Sequence, residues 1–145
     1  MALRRGSKSA KVELLRGVSL FSACSNRELS RIASLADEVE VPEGTVLIRQ
    51  GDRGREFFVI VDGRAKVSAR GRKATTLGPG SGIGELALLD QGPRSATVTA
   101  LNDMYLLVLD SRSFSSLVSE VPSVTAKIFR AMAERLRAAE RGGAH

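Results

Sequence analysis

Residues 84–97 place a carboxylate, Glu85, before a short apolar turn and an arginine, Arg94, after it. Gly82 and Gly84 allow the backbone to turn tightly and approach another molecule, and residues 85–89 form a short helix-prone run. The unpaired N–H groups of a first helical turn attract an anion. The Glu85 carboxylate can only accept hydrogen bonds, so a hydroxyl group is its natural partner.

Arg94 supplies the complementary chemistry. Its planar guanidinium matches the geometry of a phosphate and stays charged, and the N–H groups of Ser95 and Ala96 offer further donors. Pro93 stiffens the approach to this arginine. The segment therefore suits a molecule with an anionic group at one end and a sugar hydroxyl a few ångströms away. The alternative is a plain surface ion pair between Glu85 and Arg94, which would stabilise the fold very little.

The composition argues against several classes of protein. The 145 residues include one cysteine, Cys24, and one histidine, His145, too few for a disulfide framework, a zinc cluster or a Cys/His catalytic pair. A metal-dependent oxygenase needs two or three histidines beside a carboxylate. We therefore expect no metal, no cofactor and no catalysis.

The charge and hydropathy of the chain bear on its partners. The net charge of +6 invites a nucleic-acid interpretation, but the basic residues are dispersed and only 4% of the residues are aromatic. The longest apolar run is far too short to span a membrane, and the N-terminus lacks the apolar core of a signal peptide. We expect a cytoplasmic protein that contacts neither a membrane nor nucleic acid directly.

Helical patterns flank a central region of strands. Residues 1–10 are expected to be disordered, and a short helix follows around Leu15. Ser25 and Glu28 have the spacing of a capping box, which predicts the start of a second helix. Asp110 or Ser111 can cap a third helix. A fourth is predicted to start at Pro122, with one apolar stripe formed by Val124, Ile128, Met132, Leu136 and Ala139.

The region between these helices has the pattern of an antiparallel β-structure. Seven or eight short segments rich in β-branched residues are separated by turn signals, which predicts the α+β class. Asp62 and Gly63 are typical of a tight hairpin turn. The clearest of the predicted strands lie near residues 45–48, 56–61, 65–68, 73–77, 96–100 and 104–109.

Residues 83–89 followed by 93–98 resemble, almost residue for residue, the phosphate-binding cassette of cyclic nucleotide-binding domains, as in catabolite-activator-type regulators and cyclic nucleotide-dependent kinases. Residues 51–67 resemble the strands that precede this cassette in the family, and residues 114–122 resemble the helix that follows it. The resemblance covers roughly residues 18–140. Ile83 stands where the family more often has an aromatic residue.

The resemblance implies an eight-stranded antiparallel β-roll, like a jelly roll, with N-terminal helices and two C-terminal helices. It also implies one domain over residues 11–141, followed by a tail at 142–145. The ligand would be cAMP or cGMP, with cAMP favoured, and Ser95 is compatible with both. The residues implied to bind it are Glu85 at the ribose 2′-hydroxyl, Arg94 at the phosphate, Gly84, Leu86, Ala87, Ser95 and Ala96 through their backbones, Val67 near the base, and Arg135 as a lid residue.

The leading hypothesis is a stand-alone cyclic nucleotide receptor that moves its C-terminal helices and so regulates an unknown protein partner. Homodimerisation through the last helix is expected. The alternative is a fragment of a catabolite-activator-like transcription regulator without its DNA-binding domain, because only four residues follow Arg141. A further alternative is a roll that has lost its ligand and serves only for protein interaction.

Overall fold

In the part of the chain that the structure describes, eight strands form two four-stranded antiparallel sheets, which confirms the predicted β-roll. The computed structural model describes residues 7–90 and 92–142. The first sheet has the strand order β1-β8-β3-β6 and the second β2-β7-β4-β5. The strands are β1 Asp37–Val41, β2 Val46–Ile48, β3 Glu56–Asp62, β4 Ala65–Ser68, β5 Thr75–Leu77, β6 Gly82–Ile83, β7 Thr97–Ala100 and β8 Met104–Asp110.

Among residues 7–90 and 92–142, four α-helices flank the strands, two before them and two after. Two short 3-10 turns lie between the elements, one of them immediately after β6. None of the helices in the described ranges is both long and apolar enough to cross a membrane. The helices are α1 Lys8–Arg16, α2 Asn26–Ala33, α3 Ser111–Glu120 and α4 Pro122–Gly142, and the 3-10 turns are Ser19–Phe21 and Glu85–Leu88.

Strand β3 is buried on both faces because it separates two hydrophobic cores. Successive side chains of a strand point to opposite faces. Phe57 and Val59 therefore pack among the helices, in the first core. Phe58 and Ile60 face the second sheet, in the second core. The central strand thus connects the helices mechanically to the interior of the roll.

The N-terminal helix begins earlier than the sequence predicted. The Ser7 side chain accepts a hydrogen bond from the Ala10 N–H, 3.3 Å away, and helix α1 starts at Lys8. The predicted disordered start at residues 1–10 is therefore wrong for residues 8–10. The Ser7 hydroxyl pairs with a backbone N–H of the first turn that would otherwise have no partner, and this stabilises the start of the helix. Residues 1–6 lie outside the described residues.

The predicted hairpin at Asp62 and Gly63 is also wrong. The turn exists, with Gly63 at φ +97°, but strands β3 and β4 belong to different sheets and do not pair. Local turn chemistry fixes the direction of the chain there, whereas the choice of partner strand depends on the packing of the two sheets.

The C-terminal helices follow the predicted boundaries. Of the two candidate caps for α3, Asp110 is the N-cap and accepts a hydrogen bond from the Arg112 N–H at 2.7 Å. In α4, Val124 and Ile128 are buried, whereas Leu136 is 65% exposed. The predicted apolar stripe therefore packs on the domain only along its first half. The predicted tail begins inside α4, which ends at Gly142, and residues 143–145 lie outside the described residues.

A buried carboxylate fastens α4 to the N-terminal helices. Glu28 is only 7% exposed and completes the predicted capping box of α2 with Ser25. The same carboxylate accepts hydrogen bonds from Ser123 Oγ and Lys127 Nζ, both at 2.5 Å. Burial alone would raise the pKa of Glu28, but the bonds from Lys127, Ser123 and Ser25 outweigh it and lower the pKa from 4.5 to about 2.

This pKa shift makes the stability of the domain depend on pH in a defined direction. A carboxylate whose pKa is lower in the folded state stabilises fully above its unfolded value of 4.5, and the stabilisation disappears as the pH falls toward about 2. Replacing Glu28 with Gln should lower the free energy of unfolding at pH 7 by about 3 kcal/mol. Between pH 6 and pH 3.5 the native protein should lose roughly 1 kcal/mol more stability than the variant. Urea unfolding at the two pH values measures both quantities.

Glu120→Gln is the matched control for this experiment. Glu120 forms an exposed ion pair with Arg31 at 3.8 Å, so its loss should cost less than about 1 kcal/mol. A Glu28→Gln effect as small as that of the control, or one that does not change with pH, would contradict the assignment.

Candidate functional site

The segment around Arg94 is held by the loop between β2 and β3. The Arg94 N–H donates to the Asp52 carbonyl at 2.7 Å, and the Arg94 carbonyl accepts from the Gly51 N–H at 2.9 Å. The Gly54 N–H donates to the Gly92 carbonyl at 3.3 Å. These backbone bonds run like a short antiparallel pair, and they fix the position from which the Arg94 side chain extends.

The Arg94 guanidinium lies in a cradle between two glycines. Its Nη2 donates a hydrogen bond to the Glu56 carbonyl at 2.7 Å. A β-carbon at Gly54 would lie 2.3 Å from Arg94 Nε, and one at Gly84 would lie 2.3 Å from Nη1. Neither position can carry a side chain unless the arginine moves.

The cradle also changes the electrostatics of Arg94. Burial lowers the pKa of its guanidinium, and the nearby Glu56 carboxylate raises it again in part. An arginine remains charged even so. The result is a partly desolvated positive charge, held by a backbone carbonyl, that interacts more strongly with an anion than an arginine in free solvent would.

Glu85 pairs with a helix residue instead of Arg94. Gly84 has φ +75°, and it leads into the 3-10 turn that presents the Glu85 side chain. Glu85 Oε1 accepts a hydrogen bond from Arg135 Nη1 of α4 at 2.6 Å. The alternative of a simple Glu85–Arg94 ion pair is therefore wrong, because each of the two charges has another partner.

These residues surround one cavity of about 380 Å³, within the range of small-molecule sites. Six of the residues implied by the resemblance line it: Gly84, Glu85, Ala87, Arg94, Ser95 and Arg135. Val67 does not line it; its side chain packs against the core between the two sheets. Ala96 follows the lining residue Ser95 directly. Leu86 lies in the 3-10 turn, and its side chain is not among those described.

The sequence reasoning missed the two groups that hold Arg94. Gly54 does not have a positive φ, so its backbone conformation does not require a glycine. A glycine is required there because the Arg94 side chain occupies the space that a β-carbon would fill. The Glu56 carbonyl belongs to the backbone and carries no signal in the residue types. A glycine close to a polar segment hints at a close approach, but only the folded loop shows which side chain approaches it.

A second cavity, of about 430 Å³, lies at the other end of the first sheet. Its lining includes the carboxylates of Glu40, Asp62 and Asp103, which give it the wrong sign for an anionic ligand. No group of three or more His, Cys, Asp or Glu side chains within residues 7–90 and 92–142 is arranged to hold a metal ion.

Comparison with known proteins identifies the family. The sequence model of the cyclic nucleotide-binding domain matches residues 38–121. The chain is 37% identical, over 137 residues, to a cyclic nucleotide-gated potassium channel of Mesorhizobium japonicum, covering 94% of the chain and 38% of the channel.

Two solved structures have the same fold. The N-terminal domain of a transcriptional regulator from Streptomyces coelicolor A3(2) superposes with a TM-score of 0.80 at 33% identity, covering 90% of the chain and 94% of that domain. The regulatory domain of Toxoplasma gondii PKA, crystallised with cAMP, superposes with a TM-score of 0.69 at 29% identity, covering 79% of the chain and 45% of that structure.

The curated relatives are longer than this chain, which spans 38% of the channel and 58% of a CRP-like transcriptional regulator of Mycobacterium tuberculosis. The family match nevertheless includes the whole segment that forms the cavity walls between β6 and β7. The chain belongs to the cyclic nucleotide-binding domain family.

Proposed function

We propose that this chain is a stand-alone receptor for a cyclic nucleotide, cAMP in preference to cGMP, and that it transmits ligand binding through its C-terminal helices. The observation that carries the proposal is the Arg94 cradle, which shares one cavity with the Glu85 carboxylate. The cavity thus offers a fixed cation and a hydrogen-bond acceptor, the two partners that a cyclic phosphate and a ribose hydroxyl require.

In this proposal each cavity residue has a distinct task. Arg94 neutralises the cyclic phosphate, and Glu85 accepts the hydrogen bond of the ribose 2′-hydroxyl. The backbones of Gly84, Leu86, Ala87, Ser95 and Ala96 complete the phosphate site. Residues 11–141 act as one domain.

The route from the cavity to α4 is a packing contact. Leu88, at the end of the 3-10 turn that carries Glu85, is buried in the same core as Phe114 of α3 and Ile128 of α4. A shift of this turn on ligand binding therefore changes the surface against which both helices pack. Close-packed cores transmit such shifts because they tolerate few voids.

The proposed activity is binding without catalysis. Burial, with the Glu28 carboxylate nearby, raises the pKa of the Cys24 thiol to about 11. A thiol with this pKa is protonated near neutral pH and is a poor nucleophile. Cys24 also lies in the core among the helices, away from the cavity lining.

A second candidate is the regulatory part of a catabolite-activator-like transcription regulator. It is favoured by the superposition on the N-terminal domain of a transcriptional regulator from Streptomyces coelicolor A3(2). The mass of the intact protein from its native source decides between the two, since a DNA-binding domain adds several kilodaltons to the 15.5 kDa of this chain.

Homodimerisation through α4 is supported by a repeating pattern along the helix, in which Phe129, Leu136 and Ala139 are exposed and Met132 is partly buried against the helical core. Thr125, Phe129, Met132, Leu136 and Ala139 are spaced by four, three, four and three residues, the pattern of a coiled-coil seam. Phe129 is 70% and Leu136 65% exposed, which is unusual for side chains so apolar.

The first prediction of the proposed function concerns ligand affinity. Calorimetric titration should detect saturable binding of cAMP, with weaker binding of cGMP. Arg94→Ala should weaken binding by about tenfold or more, since it removes charge-assisted bonds to the phosphate, and Arg94→Lys should be intermediate. Arg72→Ala, an exposed arginine in a turn, is the control and should bind normally. No binding of either nucleotide at millimolar concentration would refute the proposal.

The second prediction concerns the cradle. Gly54→Ala should weaken cAMP binding by about tenfold, because its methyl group pushes Arg94 away from the Glu56 carbonyl. In an Arg94→Ala background the same change should have no further effect, since nothing remains to be displaced. Gly78→Ala is the matched control, because its β-carbon would meet Arg64 at an ordinary 3.5 Å. Equal effects of Gly54→Ala with and without Arg94 would contradict the positioning role.

The third prediction concerns the oligomeric state. Sedimentation equilibrium should show a dimer that Leu136→Glu converts to a monomer, because two buried carboxylates would face each other across the seam. Ala138→Glu adds the same charge at an exposed position outside the seam and should leave the dimer intact. A native protein that is monomeric at high micromolar concentration would exclude the dimer.

A further inference from the structure

One charged residue of the cavity wall, Asp90, makes none of the contacts described so far. It lines the 380 Å³ cavity together with Glu85, Arg94 and Arg135. In the chain it lies just after the 3-10 turn that carries Glu85 and just before the segment that carries Arg94. Arg94 is held by the Glu56 carbonyl, and Arg135 pairs with Glu85. Asp90 therefore brings to the cavity a charge that has no partner in the binding mode proposed above.

The Asp90 carboxylate lies against the backbone that leads to Arg94. A β-carbon at Gly92 would lie 3.4 Å from Asp90 Oδ2 and 3.7 Å from Oδ1. The Gly92 carbonyl accepts a hydrogen bond from the Gly54 N–H, which ties this backbone to the arginine cradle. Among residues 7–90 and 92–142, no hydrogen bond or ion pair engages the exposed Asp90 carboxylate. An uncompensated negative charge thus borders a cavity whose proposed ligand is an anion.

The formal charges of the cavity wall cancel, since it has two arginines, Arg94 and Arg135, and two carboxylates, Glu85 and Asp90. A cyclic phosphodiester brings one negative charge into this cavity. A nucleoside 5′-monophosphate at pH 8 brings two, because the second pKa of a phosphate monoester is about 6. The energy of repulsion from a fixed carboxylate is proportional to the charge of the ligand. Asp90 therefore disfavours the dianion about twice as strongly as the monoanion.

We infer that Asp90 is a specificity-determining residue, which by repulsion selects a singly charged phosphodiester against more highly charged phosphates. The inference rests on the proposed function for the identity of its ligand. Asp90 acts through its charge alone and lowers the affinity for every anion, but least for the monoanion. Hydrolysis of a cyclic phosphate opens the ring and adds one ionisable P–O group, so it converts a ligand of this cavity into one that the cavity repels.

Competition titrations with cAMP and 5′-AMP at pH 8 test this selection. Asp90→Asn removes the charge and keeps the size of the side chain. It should bind cAMP about two- to fivefold more tightly than the native protein, and 5′-AMP more tightly by about the square of that factor. Both gains should shrink in about 0.5 M salt, which screens exposed charges.

Glu43→Gln is the matched control for the loss of one carboxylate. Glu43 is exposed, and its N–H donates to Asp103, which lines the second cavity at the other end of the first sheet. This variant should bind both nucleotides like the native protein. Weaker cAMP binding by Asp90→Asn would show that the carboxylate accepts a bond from the ligand, and would overturn the inference. Equal gains for the two nucleotides, or gains that salt does not reduce, would overturn it as well, because they indicate a change of shape and not of charge.

Two small phosphates test the same selection without a nucleotide. Dimethyl phosphate is a monoanion at pH 8 and methyl phosphate is a dianion. Their binding is followed by the NMR signal of the Arg94 Nε–H group, and Asp90→Asn should again favour the dianion by about the square of the gain for the monoanion. If the native protein binds neither cAMP nor cGMP, the proposed function fails and these two probes decide the inference alone. Equal gains for both phosphates, or no shift of the signal with either, would then overturn it.

Discussion

The position of the Arg94 guanidinium is the constraint on which the architecture of the site depends. A partly desolvated cation is stable only where polar groups replace the water it has lost. Here the Glu56 carbonyl provides that replacement, while Gly54 and Gly84 leave the space. Both the β2–β3 loop and the start of the 3-10 turn must therefore keep their backbone paths, and the two sheets that carry them must keep their register.

The register of the strands is fixed because the first sheet is packed on both faces. Alternate residues of β3 enter different cores, so a shift by one residue would exchange Phe57 with Phe58 and disrupt both. The 3-10 turn of the site is joined to the helices by packing. Leu88, its last residue, is buried in the same core as Phe114, while Ala87 before it lines the cavity.

The sequence predicted what is encoded locally and missed what depends on tertiary partners. The capping box at Ser25 and the helix start at Pro122 were predicted because the residues that form them are neighbours in sequence. Strand β6, two residues long, is too short for any periodic signal. The partner of Glu85 could not be predicted from charge alone, since Arg94 and Arg135 have the same side chain. The deciding factor is the distance between folded elements 50 residues apart.

Helix α4 makes two ion pairs with the rest of the domain, Lys127–Glu28 and Arg135–Glu85, and they differ in burial. Glu28 and Glu85 both accept bonds from a basic residue of the same helix, at 2.5 Å and 2.6 Å. Glu28 is surrounded by the helical core and has three side chains or backbone groups as partners, so removing one leaves a buried charge. Glu85 lines the cavity, and its side chain and that of Arg135 are 21% and 46% exposed, so their ion pair stabilises the fold much less. The helix is therefore held by a buried contact at its first turns and by a more exposed one further along.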